Sequence, residues 1–292
     1  MAFRVGWLAD PETDVIGGAE LTCRELLRRA PRGVKVVPCP PGHVSRGCDL
    51  YVVHNVTRYT PDAVEALAPA PVVKYVHDVH QRGDPELRDF LLARSATVVF
   101  VSPLQLASFP YPTRAPVLLM PPAIDLGPFR RAALSRKGRT RRGTIWIGQM
   151  TGAHKGLGNA VRWAARNGTV DFYGAGHLRP RGLNVRYHGQ VPPEEVPELM
   201  ARFKRFLLLP RGVDSCGRTV LEAWAAGCEL VVNERVGAMW WLRHRPDEVE
   251  TGAKRFWDVV REIAYGGTQP SSIRATRQES RSRRRPRSSS RS

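Results

Sequence analysis

The 292-residue sequence has no apolar run near the roughly 18 consecutive positions that a membrane-spanning helix needs. Its opening Met1-Ala2-Phe3-Arg4 leads straight into a strand-like segment, without the apolar core of a secretory signal. A cytoplasmic protein without a membrane span is expected. Cysteine is sparse: the five residues (Cys23, Cys39, Cys48, Cys216, Cys228) are odd in number and show no CxxC spacing. That excludes a disulfide framework and a zinc knuckle and leaves reduced thiols. Acid is short, with 27 acidic against 45 basic residues and a formal charge of +18.

A charge of that size suggests a nucleic-acid binder until its distribution is read. Residues 130–142, RRAALSRKGRTRR, hold seven basic residues and no acid, and residues 271–292 hold eight arginines and one glutamate. Each contributes +7, which leaves +4 for the rest, an ordinary balance for a globular enzyme. Neither segment contains an aromatic residue, so the stacking that accompanies phosphate contacts in single-strand binders is missing.

What is present is an alternation of short β-branched runs with amphipathic stretches, the pattern of parallel sheets covered by helices. The strands fall at Phe3 to Leu8, Val34 to Cys39, Leu50 to His54, Val72 to His77, Thr97 to Ser102 and Val117 to Met120. They resume at Thr144 to Gly148, Val170 to Gly174, Val185 to Gly189, Phe206 to Pro210 and Glu229 to Asn233. Helices are predicted over Ala19 to Ala30, Pro85 to Arg94, Leu157 to Arg166, Glu194 to Lys204, Thr219 to Ala226 and Ala253 to Tyr265. The class is α/β, with two doubly wound, Rossmann-like domains facing each other. The expected division is 1–129, a basic linker at 130–143, 144–252, a terminal helix at 253–267 and an Arg/Ser-rich tail at 268–292. The tail has too little apolar residue to form a core and is expected to be disordered.

In open parallel sheets ligands collect at the carboxyl ends of the strands, where several polar clusters fall. Gly17-Gly18-Ala19-Glu20 follows the first strand and precedes a helix; it is either a ligand-facing loop or an ordinary turn. His77-Asp78-Val79-His80 follows VVKYV, and its histidine can hydrogen-bond a sugar, be structural, or with Asp78 and His80 ligate a metal. Gly148-Gln149-Met150 follows a strand, and Ala153-His154-Lys155-Gly156 enters a helix. Lys155 there is either a diphosphate contact or a surface lysine. LLLPRGVDSCGRTVLEAWAAG, Leu207 to Gly227, is the most informative segment. A phosphate at the helix start near Gly217 to Val220 would leave Glu222 to accept from ribose hydroxyls and Asp214 to reach a sugar. Alternatively Asp214 caps the turn and Glu222 is an exposed helix acid.

In their order along the chain, GGAE, HD after a strand, VSP (Val101 to Pro103), PPAID (Pro121 to Asp125), IG…HKG, FYGAG, YHGQVPPEEV and LPRGVDSCGRTVLEAWAAG resemble the retaining glycosyltransferase family 4, the glycosyl transferases group 1. Agreement spans roughly residues 3 to 237. The resemblance implies a GT-B fold and metal-independent transfer of a hexose from a nucleotide diphosphate sugar to a hydroxyl, with retention, no cofactor, and the leaving diphosphate assisting the acceptor. Glu222 becomes the ribose-binding acid, Lys155 a diphosphate contact and Asp214 a holder of sugar hydroxyls. His77 lies beside sugar and acceptor, and Gly17 and Gly18 cover the donor phosphates. Gln149, Ser215, Gly217, Arg218 and Thr219 complete the donor site, with Tyr187 to Val191 beside the base. The terminal helix packs across the domain junction. Asp214 stands where the family has glutamate and Gln149 where it has arginine, so Arg218 or the linker arginines are expected to supply the missing charge.

By analogy, compact basic members of this kind are carried by bacteriophages, which would place the protein in a host cytoplasm. The acceptor is then a protein or glycan, or a hydroxylated base in DNA, with the basic tail holding DNA or another polyanion through phosphate contacts. Two other readings remain: a catalytically decayed GT-B scaffold that binds nucleic acid, and a nucleotide-sugar epimerase.

Overall fold

The computed structural model of the chain describes residues 2–11, 17–80, 83–150 and 155–266. The tail at 268–292 and the residues Ala153 and His154 of the HKG entry lie outside them. Two parallel sheets are present. The first orders β1 (Phe3–Leu8), β2 (Val34–Pro38), β3 (Leu50–Val53), β4 (Val72–Tyr75), β5 (Thr97–Phe100) and β6 (Val117–Leu119) as β2-β1-β3-β4-β5-β6. Every residue of β3, β4 and β5 is buried, as expected where helices cover both faces of a β-branched strand. The second orders β7 (Thr144–Ile147), β8 (Val170–Tyr173), β9 (Val185–Gly189), β10 (Arg205–Leu208) and β11 (Glu229–Val232) as β11-β10-β7-β8-β9. Strand order reverses between β1 and β3 in one sheet and between β7 and β10 in the other, and crevices open beyond the carboxyl ends of those pairs.

Helices α1 (Gly18–Arg28), α2 (Ala63–Leu67), α3 (Pro85–Arg94), α4 (Pro103–Ser108) and α5 (Gly127–Ser135) belong to the first half of the chain. Helices α6 (Leu157–Asn167), α7 (Val196–Met200), α8 (Arg218–Ala225), α9 (Ala238–His244) and α10 (Gly252–Ala264) belong to the second. Local chemistry sets several starts. The Asp84 carboxylate accepts from Leu87 N at 3.0 Å and the Ser102 hydroxyl from Gln105 N at 3.0 Å, each with proline at the following position. The helix predicted over 194–204 shortens to α7, because Pro197 delays its start and β10 already begins at Arg205.

The basic stretch at 130–143 begins inside a helix. Phe129 and Ala132 of α5 are buried, Arg130 pairs with Glu250 and lies 5.9 Å over the Trp224 ring, and Arg141 Nη1 donates to Ala226 O at 2.7 Å. Arg130 and Arg141 are therefore docked on the second half. Helix α10 does the reverse, following the second sheet in sequence but packing on the first. Trp257 Nε1 donates to Leu26 O at 2.9 Å, and the Trp7 ring lies 6.2 Å from Trp257 and 6.3 Å from Phe256. One apolar cluster consequently runs from Val5 and Val52 through Phe256 to Phe206 and Val220. Among the described residues no helix is long and apolar enough to cross a membrane.

Candidate active site

A cleft of about 970 Å³ lies between the carboxyl ends of the two sheets. Gly17, Gly18, His77, Gln149, Lys155, Asp214, Ser215, Gly217, Arg218, Thr219 and Glu222 all line it, so the structure gathers every candidate residue in one place.

The second-sheet wall is built by the turns after β7 and β10. Gly156 ends the β7 turn at φ +73°, and a Cβ there would stand 1.9 Å from Leu209 O; only glycine lets the turn close on the β10 strand end. That approach brings Lys155 to Asp214, with Nζ to Oδ2 at 2.7 Å. Burial opposes the charge on Lys155, but the Asp214 carboxylate outweighs it and raises the ammonium above its ordinary range. Asp214 itself is buried, its N donating to Arg235 O at 2.8 Å and its O accepting from Gly237 N at 2.9 Å. It therefore binds Lys155 and is fixed by backbone pairing, instead of capping its own turn. Helix α8 starts without a side-chain cap, so first-turn N–H groups and the positive end of the helix meet the cleft at Gly217, Arg218 and Thr219. One turn on, Glu222 is buried, not an exposed helix acid. Burial raises its carboxyl and Arg218, 3.6 Å away, partly offsets this. Among the described residues Glu222 accepts no hydrogen bond, so its oxygens are open to a ligand.

On the first-sheet wall the paired glycines admit arms from across the cleft. A Cβ on Gly17 would stand 3.0 Å from Gln149 Nε2 and one on Gly18 3.4 Å from Arg218 Cδ. Gly17 N is held by the Glu20 carboxylate at 2.9 Å. Arg218 reaches Thr22 Oγ1 at 3.3 Å and also donates to Ala123 O of PPAID, while Arg130 and Arg141 are committed elsewhere. Ser102 of VSP donates to Ser215 O, and Trp241 Nε1 to Val101 O at 2.7 Å, which fixes the Asp214 turn against the first sheet. On the far side Tyr173, Gly174, Gln190 and Val191 line the cleft from β8 and the turn after β9.

His77 does not gather with Asp78 and His80. Its Nε2 lies 2.8 Å from His54 Nδ1 and 3.9 Å from Cys23 Sγ, while Asp78 accepts from Asn55 Nδ2 at 3.2 Å. Among the described residues the trio of Cys23, His54 and His77 places three potential ligand atoms within 4.8 Å. Lys74, fully buried beneath, donates to His54 O. Burial, then Lys74 and Arg218, push His77 down to about 3, so the ring is neutral in a cationic surrounding. Burial likewise lowers Lys74 to about 8. Sequence reasoning passed over His54, Lys74 and Cys23. The available signal was a histidine directly after LYVV, repeating the strand-then-histidine arrangement of VVKYVH, and a lysine inside an apolar strand.

Residues 149–290 match the family model described as glycosyl transferase-like. No curated protein sequence matches the chain. Among solved structures, HepE from Anabaena, in complex with UDP and glucose, is similar at 16% identity over 96% of this chain and 100% of that one, TM-score 0.61. Sucrose-phosphate synthase from Thermosynechococcus elongatus is similar at 13% identity over 94% of each chain, TM-score 0.63. AviGT4, a glycosyltransferase involved in avilamycin A biosynthesis, is similar at 16% identity over 96% of this chain and 97% of that one, TM-score 0.58. Residues 149–290 thus match a glycosyl transferase-like family model, and the described residues have the GT-B fold.

Proposed function

We propose that the protein transfers a hexose from a nucleotide diphosphate sugar to a hydroxyl acceptor, with retention of anomeric configuration and without a metal. The observation that carries this reading is Glu222, a buried carboxylate on the cleft side of α8 that accepts no hydrogen bond among the described residues. Two neighbouring ribose hydroxyls supply the donors, and the diphosphate then lies over the α8 start. HepE is known in complex with UDP-glucose, which makes uridine diphosphate glucose the first donor to test.

Donor binding draws Lys155 from Asp214 onto the diphosphate, and Asp214 turns to the sugar hydroxyls. Arg218, Gln149, Ser215, Thr219 and the Gly17-Gly18 loop complete the phosphate surroundings. As the bond from the anomeric carbon to phosphate oxygen breaks, Lys155, Arg218 and the helix end stabilise the charge that develops. Asp214 and Glu222 are both engaged, so neither is placed as a nucleophile. The acceptor oxygen attacks from the face the diphosphate leaves, and its proton passes to a phosphate oxygen. Residues 1–129 then form the acceptor side and 144–252 the donor side, with a protein or glycan hydroxyl as acceptor.

Thermal stabilisation by uridine, guanosine and adenosine diphosphate sugars tests the reading. One donor should stabilise the protein selectively, and Glu222→Ala should abolish the effect. Stabilisation by none of them would leave a binding-only scaffold.

A further inference from the structure

We propose that His54 is a positioning residue that fixes the tautomer of His77, so that His77 turns an N–H and not a lone pair toward the substrate. The inference rests on the reading of His77 as a substrate contact.

His54 directly follows β3, is 1% exposed and does not line the cleft. Its ring is packed between Trp7, at 4.4 Å, and Tyr75, at 5.3 Å, and its carbonyl is held by Lys74. Such a ring cannot turn to seek new partners. Its Nδ1 is 2.8 Å from His77 Nε2, and its Nε2 is buried without a partner among the described residues. Both rings are neutral, since burial lowers each well under the ordinary histidine value of 6.5. One proton therefore lies between the two facing nitrogens, and two arrangements are possible.

If His77 donated from Nε2, His54 would carry its own proton on Nε2, as a buried N–H with no acceptor. If His54 donates from Nδ1, only a lone pair is left unpartnered. Orphaned buried N–H groups are the rarer of the two defects, and the nearby Lys74 ammonium favours a lone pair over another positive hydrogen. Cys23 Sγ, 3.9 Å from the same His77 Nε2, is both a weak donor and a weak acceptor and suits either arrangement. His77 then carries its proton on Nδ1. Among the described residues that atom is neither bonded nor buried, so it opens to the cleft that His77 lines.

An N–H at that point donates to an oxygen lone pair of the sugar or acceptor and cannot take the acceptor's proton. That proton goes to the leaving phosphate oxygen: the acceptor O–H and the sugar–phosphate C–O bonds break as the new C–O bond forms.

Nitrogen-15 NMR of histidine-labelled protein, with the His77 signals assigned by their loss in His77→Gln, reads the tautomer directly and without turnover. The expected result is Nδ1–H in the wild type, loss of that preference in His54→Leu, and recovery in His54→Asn, whose amide N–H occupies the Nδ1 position. Turnover with saturating donor should fall about tenfold in His54→Leu and recover in His54→Asn, with donor-induced thermal stabilisation unchanged as the control for folding. An Nε2–H tautomer in the wild type overturns the proposal, and so does an unaltered tautomer in His54→Leu. A scrambled tautomer with full turnover would instead sink the placement of His77 at the substrate.

Discussion

On the second-sheet wall of the cleft the functional groups are charged, paired and close in sequence. Lys155 is bound to Asp214, Arg218 lies beside Glu222, and three of the four come from one turn and the helix after it. On the first-sheet wall the central groups come from three separate elements, Cys23 on α1, His54 after β3 and His77 after β4, and both histidines are neutral. Under the proposed function the difference follows from what each wall does. A wall that receives a diphosphate needs cations, and half-buried cations without a ligand are costly unless carboxylates hold them. A wall that orients hydroxyls needs a proton at a fixed atom, which burial supplies by keeping imidazole uncharged.

The widest separation between the walls should come from Glu222→Gln. Burial raises the Glu222 carboxyl above its ordinary 4.5, so the folded state binds that proton more tightly than the unfolded chain. Its stabilising contribution is present at low pH and is lost as pH rises through the raised value, which leaves a penalty at pH 7. Removing the charge should therefore raise Tm by about 2–4 °C, for about 1 kcal/mol, while turnover falls about 100-fold and the donor no longer stabilises the protein. A calorimetric scan and a donor titration check both; a lower Tm would mean that Glu222 is a structural partner of Arg218.

Lys155→Met should cost about 100-fold in kcat, the scale of one cationic contact to a developing charge. It also leaves Asp214 buried and unpaired, for about 1–3 kcal/mol of stability. Adding Asp214→Asn should restore Tm but not turnover. Recovery of turnover in the double variant would show that the unpaired Asp214 charge, and not loss of the lysine, caused the defect of the single variant.

The same contrast decides how much of the molecule was legible. LPRGVDSCGRTVLEAWAAG is one strand end, turn and helix, so a contiguous reading placed Asp214, Arg218 and Glu222 in the cleft. The bounds of α3 were readable from the Asp84 cap and Pro85, and the limits of β9 from its flanking turns. That His54 and Cys23 meet His77 was not readable, because only the strand order β1-β3-β4 brings them together. The Lys155–Asp214 pair joins positions 59 apart and needs Gly156 against Leu209, a backbone approach with no local signature. Helix α5 was hidden by charge: its buried Phe129 and Ala132 are a narrow stripe beside Arg130 and Arg131.

The neutral histidines give the first-sheet wall its own pH signature. A histidine lowered on folding contributes stability above its ordinary 6.5 that is lost as pH falls toward the folded value, about 3 for His77. Between pH 6.5 and 5, above the range where most carboxylates titrate, the fold should lose about 2 kcal/mol at His77, with a loss of the same sign at His54. His54→Asn should flatten that slope, read from denaturant midpoints across the interval. An unchanged slope would show that the pair is not jointly neutral in solution.

The smallest effect concerns what holds the walls together. Trp257→Phe keeps the ring in the cluster with Trp7 but removes the Nε1 donor to Leu26 O, at a cost of about 1 kcal/mol and a fall of about 2–4 °C in Tm. Lys254→Ala on the same helix removes the exposed pair with Asp258 and should cost under about 0.5 kcal/mol, because water and salt already screen it. The comparison uses one helix to separate a buried tie from a surface one. Helix α10 follows the second sheet in sequence and is anchored on α1 beside the first-sheet wall, so Trp257→Phe should also weaken donor binding a few-fold if the two walls close as a unit. A lower Tm with unchanged donor affinity would mean that α10 stabilises the first sheet without coupling it to the second.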